Sequence, residues 1–237
     1  MSRLSIKDAD RVRWAKKAGR RRRAARRSTA VRIPPSITSA SQGLQAAFAN
    51  KQRCTLRFLR RVYLGPGGTG TGDYHSFRAN SLFDPDYTTA GSQPTGFDQY
   101  AALYQHYRVL SSTCQMNIVN TSGQPVIAWC ELSGTPGSLT APELPLTRGR
   151  AAYKTLSPTG GNDNCTLTNV YDGVKFFGKS FWDRDHQAAV GGNPGEDVFF
   201  NTGFAPVSES YSGATADMNV VIIFEVEFSE PAALPVS

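Results

Sequence analysis

The stretch "DMNVVIIFEVEF", residues 217–228, alternates apolar and polar side chains with a period of two. Asn219, Glu225 and Glu227 fall at odd-numbered positions, and every even-numbered position is apolar. Successive side chains of a β-strand point to opposite faces of a sheet, so this pattern predicts a strand with one face in a core. The predicted core positions are Met218, Val220, Ile222, Phe224, Val226 and Phe228.

The same period appears in "RCTLRFLRRVYL", residues 53–64. One predicted face is apolar, and the other carries Arg53, Arg57, Arg61 and Tyr63. This segment is therefore expected to be a strand with one buried face and one basic face. Arg60 falls on the apolar face, and nothing in the sequence accounts for it. The apolar positions are Cys54, Leu56, Phe58, Val62 and Leu64.

Six further segments have the length and composition of strands, and long Gly-, Pro- and Asn-rich connections separate several of them. They are residues 74–79, 109–120, 125–132, 151–156, 165–171 and 197–204. Only residues 96–107 show helical spacing, through Phe97, Tyr100, Ala101 and Tyr104. Eight strands without alternating helices predict an all-β fold, a single eight-stranded antiparallel jelly-roll sandwich over residues 51–237. An immunoglobulin-like sandwich is the alternative, although its connections are usually shorter.

The amino-terminal segment differs sharply in charge from the rest of the chain. Residues 1–32 contain 13 Lys and Arg against Asp8 and Asp10, a net charge of +11; the remainder contains 13 Lys and Arg against 17 Asp and Glu, a net charge of −4. Residues 1–50 are therefore expected to form an arginine-rich arm and linker, disordered in the free state. Such asymmetry points to a polyanionic partner, although a solubilising tail or a nuclear-import signal would also be basic.

Single-stranded nucleic acid is the partner that fits both basic segments. Arginine neutralises phosphates without regard to base sequence, and Tyr63 offers a ring on which an unpaired base can stack. An ordinary solvated strand face remains the other interpretation of the strand arginines. The predicted nucleic-acid-binding residues are Arg11, Arg13, Lys16, Lys17, Arg20, Arg21, Arg22, Arg23, Arg26, Arg27, Arg32, Arg53, Arg57 and Arg61.

No segment carries a convincing catalytic, cofactor or metal motif, so the chain is predicted not to be an enzyme. "GPGGTGTGD", residues 65–73, lacks the Gly-Lys-Ser/Thr ending of a P-loop and is expected to be a flexible inter-strand loop. "WDRDH", residues 182–186, gathers Asp183, Asp185 and His186, which could hold a metal or act as acid and base. A solvated loop is the favoured interpretation.

The four cysteines lie far apart and form no C-x-x-C pair, which argues against a zinc site. Cys54, Cys114 and Cys130 fall inside apolar alternating runs, and all four cysteines are expected to be reduced core thiols of an intracellular product. The sequence shows neither an apolar signal-peptide core nor a run of 18 apolar residues, so no membrane partner is expected.

One longer segment carries a more specific signal, "FRANSLFDPDYTTAGSQPTGFDQYAALYQHYRVLSS", residues 77–112. Its Asn80-Ser81-x-Phe83-Asp84-Pro85-Asp86, Gln93-Pro94-x-Gly96-Phe97-Asp98-Gln99 and Tyr104-x-x-Tyr107-Arg108-Val109 elements resemble capsid proteins of circovirus-like viruses. These viruses have circular single-stranded DNA genomes and encode a replication-initiator protein. The order of arginine-rich segment, early strand and apolar last strand is also similar over the whole chain.

The resemblance implies a coat protein whose jelly roll assembles as a homo-oligomer of about 60 copies into a small icosahedral shell. It implies that the arm packages single-stranded DNA inside the virion. It further implies nuclear import through a host import receptor, with assembly in the host nucleus. The alternatives are a capsid protein of a small RNA virus, a nucleic-acid-binding protein that does not assemble, and a carbohydrate-binding or enzymatic jelly roll with its site at residues 182–186.

Overall fold

The computed structural model of the chain describes residues 49–65, 69–89, 91–137 and 150–233. Residues 1–48 lie outside these ranges, so the predicted disorder of the arm falls outside the described structure.

The described residues form nine β-strands, two α-helices and two 3-10 helices. The strands are β1 (Lys51–Leu64), β2 (Asp73–Arg78), β3 (Tyr104–Asn120), β4 (Val126–Ser133), β5 (Ala151–Leu156), β6 (Asn164–Asp172), β7 (Ala188–Ala189), β8 (Phe199–Pro206) and β9 (Ala216–Pro231). The helices are α1 (Phe97–Ala101) and α2 (Gly173–Phe177), and 3-10 turns follow at Gly178–Trp182 and Arg184–His186.

Two antiparallel sheets face each other across one core. The first has the strand order β1-β9-β3-β6, with the two-residue β7 paired to β3, and the second has the order β2-β8-β4-β5. The first long strand thus pairs with the last, the second with the second-last, the third with the sixth, and the fourth with the fifth. This rolled-up pairing is an eight-stranded jelly roll, which confirms the predicted fold and excludes the immunoglobulin-like order.

β9 lies between β1 and β3 and supplies the centre of the core. Its side chains at 218, 220, 222, 224, 226 and 228 are fully buried, as the alternation predicts. Phe77, Phe200 and Phe204 of the opposite sheet are fully buried in the same cluster. The core is therefore a two-layer aromatic and aliphatic packing between the sheets.

The helix predicted over residues 96–107 is wrong beyond Ala101, because β3 begins at Tyr104 and pairs with the end of β9. The aromatic spacing has a different cause. Four rings surround Phe228, with centroid distances of 6.3 Å from Phe97, 4.8 Å from Tyr100, 6.0 Å from Tyr104 and 6.4 Å from Tyr107. Helix α1 and strand β3 thus place their rings in one cluster around Phe228 at the end of the sandwich.

The structure supplies the reason for Arg60. Its Nε lies 3.0 Å from Oδ2 of Asp86, and its Nη2 donates to Oγ1 of Thr89 at 3.0 Å. The other oxygen of Asp86 lies 2.6 Å from Nε2 of His75. Asp86 is only 1% exposed, and Arg60, His75 and Thr89 are the polar partners that allow this carboxylate to be buried. They fasten the loop around Asp86 to β1 and β2.

The glycine-rich stretch at 65–73 serves close packing in its described part. A Cβ on Gly72 would lie 1.7 Å from the carbonyl oxygen of Phe204, and Gly70 adopts a φ of +72°. Only glycine fits such an approach of one backbone to another. Here the composition reflects contact with β8 and the turn after it.

All four cysteines are free thiols, and Cys114, Cys130 and Cys165 are buried. Within the described ranges, no helix is both long and apolar enough to cross a membrane.

Replacing Phe224 by alanine should lower the free energy of unfolding by about 3–5 kcal/mol, because a fully buried ring is lost and a cavity remains. The matched control is Glu225→Ala on the opposite, exposed face, where the side chain accepts a hydrogen bond from Thr55 Oγ1 at 2.7 Å. It should lose less than about 1 kcal/mol. Urea titration of both variants measures the contrast, and equal losses would mean that the outer face is also buried.

Asp86→Asn should destabilise the fold in a pH-dependent way. Burial alone would raise the pKa of Asp86, but hydrogen bonds from His75 and Thr89 hold that pKa below its ordinary value. A carboxyl group with a lowered pKa stabilises the fold above its unfolded pKa of about 3.9, and this contribution disappears as the pH falls through the folded pKa.

At neutral pH the loss should be about 2–3 kcal/mol, below the roughly 3–5 kcal/mol of a fully enclosed pair because Arg60 reaches solvent. Urea titrations of the wild type and the variant should converge as the pH falls below about 4. Asp98→Asn, at an exposed position in α1, is the control. A pH-independent difference would contradict the role assigned to the Asp86 charge.

Candidate nucleic-acid interface

The outward side chains of β1 form a stripe along the edge of the first sheet. Arg53, Arg57, Leu59, Arg61 and Tyr63 share this face because they alternate with core residues. Leu59 is 70% exposed and Tyr63 is 62% exposed, so no described part of the chain covers the stripe. Residues four apart on a strand lie about 13 Å from each other, which spaces the three arginines evenly.

Arg53 is held in an ion-pair cluster with Glu227 of β9. Its Nε donates to Oε2 at 3.0 Å, while Nζ of Lys51 donates to Oε1 at 2.6 Å. Burial alone would raise the pKa of Glu227, but the hydrogen bonds and charges of Lys51 and Arg53 hold it below its ordinary value. Two cations therefore neutralise one carboxylate, and the cluster keeps a net positive charge.

Arg57 and Arg61 keep their charges uncompensated. The guanidinium of Arg57 makes no ion pair or hydrogen bond with any described residue, and Arg61 donates only to the neutral Oδ1 of Asn219, at 3.3 Å. Guanidinium groups with free N–H bonds can grip phosphate oxygens bidentately. These two arginines are thus the best-placed phosphate ligands on the stripe.

The neighbouring strand determines which arginines are free. In the register of β1 and β9, Arg53 faces Glu227, Thr55 faces Glu225, and Tyr63 faces Asp217, whereas Arg57 faces Ile223. The acids of β9 were visible in the sequence, but their partners depend on this register. The face is consequently less basic than β1 alone suggested.

Aliphatic side chains also lie on the same face. Leu59 is opposite Val221, and the row through Arg57 and Ile223 continues to Thr113 of β3 and Val170 of β6. Val170 is 53% exposed. A face with two free arginines, an exposed tyrosine ring and exposed aliphatic groups can hold a single strand by phosphate contacts and by packing against its bases.

The structure places Arg53, Arg57 and Arg61 on one face of β1, as the alternation predicts. The arm cations from Arg11 to Arg32 lie outside the described residues. Lys51, which lies two residues before the quoted strand and joins Arg53 on Glu227, is absent from the predicted binding residues. Lys51 and Arg53 are two residues apart, so the period of two already placed both on the same face of the strand.

The 182–186 segment is organised by stacking. His186 is 6% exposed, and its ring lies 3.9 Å from that of Phe177, centroid to centroid. Arg108 donates to the backbone oxygens of Trp182 and Asp183 at 3.2 and 2.9 Å. His186 is therefore buried, whereas Asp183 and Asp185 are exposed. Over the described ranges, no three His, Cys, Asp or Glu side chains are placed to hold a metal ion.

No protein-family model and no curated protein matches the chain. Similar solved structures include the 60-mer of the BFDV capsid protein, which is 14% identical over 80% of this chain and 100% of its own, with a TM-score of 0.39. The decameric BFDV capsid protein is 12% identical over 75% and 98%, with a TM-score of 0.39. Cucumber leaf spot virus is 14% identical over 80% and 54%, with a TM-score of 0.45.

Single substitutions Arg57→Gln and Arg53→Gln should distinguish the effect of an unpaired arginine on binding from that of an arginine in an ion pair. For single-stranded DNA, Arg57→Gln should reduce the slope of log K against log salt by about 0.7, the value of one phosphate contact. It should leave the free energy of unfolding within about 0.5 kcal/mol. Arg53→Gln should change the slope by less than half as much and lose about 0.5–1 kcal/mol of stability. Fluorescence anisotropy and urea titration measure both quantities, and the reverse ranking would contradict the assignment.

Proposed function

We propose that the chain is a viral coat protein whose jelly roll tiles a small icosahedral shell and whose arm, residues 1–50, packages single-stranded nucleic acid. The observation that carries the proposal is the presence of two cationic segments near each other in the sequence. A segment with a net charge of +11 over residues 1–32 leads along the chain into β1, where Arg57 and Arg61 stand unpaired on an exposed face. Genome packaging needs a rigid unit that assembles and a cationic segment that follows an irregular polyanion.

Residues 77–112, which carry the resemblance to capsid proteins, make contacts that hold the loops of the jelly roll in place. Asn80 donates to the backbone oxygen of Glu196 at 2.7 Å and accepts from the backbone N–H of Val198 at 2.9 Å. Nη1 of Arg78 donates to Oδ2 of Asp84 at 2.8 Å, and Nε of Arg78 donates to Oδ2 of Asp197 at 2.9 Å. These residues tie the connection after β2 to the segment before β8. Arg78, Asn80 and Asp84 therefore hold the shape of the jelly roll, and no contact with nucleic acid is assigned to them.

Single-stranded DNA is the proposed cargo on the strength of the resemblance, and a small RNA virus is the second candidate because phosphate contacts serve either polymer. We propose about 60 copies per shell, import of the chain into the host nucleus through its basic arm, and no catalytic role.

Assembly is the direct test of the coat-protein proposal. Purified full-length chain should form closed particles of uniform diameter in negative-stain microscopy, because a jelly-roll coat protein carries its own contact surfaces. Nucleic acid recovered from the particles should be degraded by a single-strand-specific nuclease, and sensitivity to DNase or RNase identifies the polymer. Light scattering that shows only monomers or dimers at all salt and protein concentrations would favour a nucleic-acid-binding protein that does not assemble.

Removing residues 1–33 should abolish most of the salt dependence of binding. If about eight arm cations contact single-stranded phosphates, the full chain should give a slope of log K against log salt near −6, from about −0.7 per contact. The truncated chain should keep only the small slope of the β1 stripe. Its thermal transition should shift by no more than a few degrees, since the core lies in β1 to β9. An unchanged slope would show that the arm does not carry the binding.

A further inference from the structure

A polar cleft of about 530 Å³ opens at the amino-terminal end of β1, and we call it the arm-root cleft. Three strand ends and the segment before β7 meet there. Its wall includes Asn50, Lys51, Gln105, Arg108, Gln187 and Glu227. The volume lies within the about 300–1,000 Å³ typical of sites for small ligands.

Among the described residues, two cations and two carboxylates line the cleft, and further cations lie beside it. Lys51 and Arg108 line it, and a hollow of about 250 Å³ that shares Gln187 and Glu230 adds Arg184. Lys51 and Arg53 already neutralise Glu227, and Nδ1 of His106 lies 3.2 Å from Oε2 of Glu230. Glu227 is therefore committed to two cations, and Lys51, Arg53 and Arg108 against Glu227 and Glu230 leave a net charge of +1 at the cleft (3 − 2).

Two of the cations have unused donors. An ammonium group has three N–H donors, and Lys51 uses one on Glu227, at 2.6 Å, while 62% of its side chain is exposed. The buried Nε of Arg108 has no hydrogen-bond partner among the described residues, whereas its Nη2 is fixed by the carbonyls of Trp182 and Asp183. A bound anion would accept hydrogen bonds from the free N–H groups of Lys51, and the positive charge of Arg108 would attract it.

Carboxamides supply the other part of the recognition. Nε2 of Gln187 donates to Oγ of Ser229 at 3.0 Å, and Nε2 of Gln105 is 3.5 Å from the carbonyl of Pro231. Their oxygens accept no hydrogen bond from the described residues. A carboxamide presents a donor beside an acceptor, which matches the edge of a nucleobase. A site for a sulfated sugar would be expected to carry further cations at the positions where this cleft has two carboxamides and two carboxylates.

The cleft also lies where the arm joins the jelly roll. Asn50 and Lys51 line it, and only residues 33–49 separate it from Arg32, the last arm cation. A strand bound by the arm is therefore tethered close to the cleft, which raises its effective concentration there.

We propose that the arm-root cleft binds one nucleotide of the packaged strand, with the phosphate at Lys51 beside Arg108 and the base edge at Gln105 and Gln187. This inference rests on the proposed packaging function and deepens it, because it adds a defined site to binding that is otherwise independent of sequence.

Photocrosslinking of the full-length chain locates the site without any variant. A single-stranded oligonucleotide that contains 5-iodo-deoxyuridine should crosslink to peptides that contain Gln105 or Gln187 as well as to the arm. Crosslinks confined to residues 1–32 would overturn the cleft while leaving the packaging function intact. A lack of crosslinks anywhere in the chain would count against the packaging function itself.

Calorimetric titration of the full-length chain with dAMP tests the chemistry. Lys51→Gln and Gln187→Ala should each weaken binding about tenfold, the effect of one lost charge-assisted or paired hydrogen bond. Lys154→Gln, an exposed lysine on β5 of the other sheet, is the matched control and should change it less than about twofold. Equal effects of all three changes would overturn the site.

Two competitors identify the source of the ligand. A deoxyadenosine oligomer should displace dAMP from the cleft, and failure to do so would mean that the cleft takes free nucleotides only, against the proposal. A sulfated disaccharide should bind more weakly than dAMP. Tighter binding that depends on Lys51 but not on Gln187 would assign the cleft to sulfated glycans and overturn the nucleotide assignment.

Discussion

The rest of the structure depends on the burial of one face of β9. This strand pairs with β1 on one side and with β3 on the other, over nearly its whole length. Its inward side chains contact the opposite sheet, and the end of the sandwich is closed by rings gathered around Phe228. Because the last strand lies beside the first, the chain buries this face by rolling its strand pairs into two sheets.

That pairing also determines the chemistry of the outer surface. The register that buries the even-numbered side chains of β9 sets Glu227 against Arg53 and places no acid opposite Arg57. A shift of one residue would turn every side chain of β9 to the other face, so core packing and surface charge are specified together. The free arginines, the paired arginine and the arm-root cleft are thus consequences of one strand alignment.

Buried ion pairs hold the loops in place against the two sheets. Asp86 is buried between Arg60 and His75, and the Arg78 guanidinium spans Asp84 and Asp197. An isolated charge in such positions would destabilise the fold, so each anchor requires all its members. Arg78, Asp84 and Asp86 are consequently committed to partners within the chain, whereas Arg57 and Arg61 on β1 stay unpaired among the described residues.

The sequence by itself determined the strands, the fold class and the face on which Arg53, Arg57 and Arg61 lie, because alternation with a period of two is a local property of the chain. The tertiary structure decided the rest. It ended the helix at Ala101 because Tyr104 pairs with β9, and it explained Arg60 through Asp86, 26 residues away along the chain. It also divided paired from unpaired arginines and assembled the arm-root cleft from residues 50 to 231. Such features arise from contacts between distant segments, and no local pattern specifies the register that creates them.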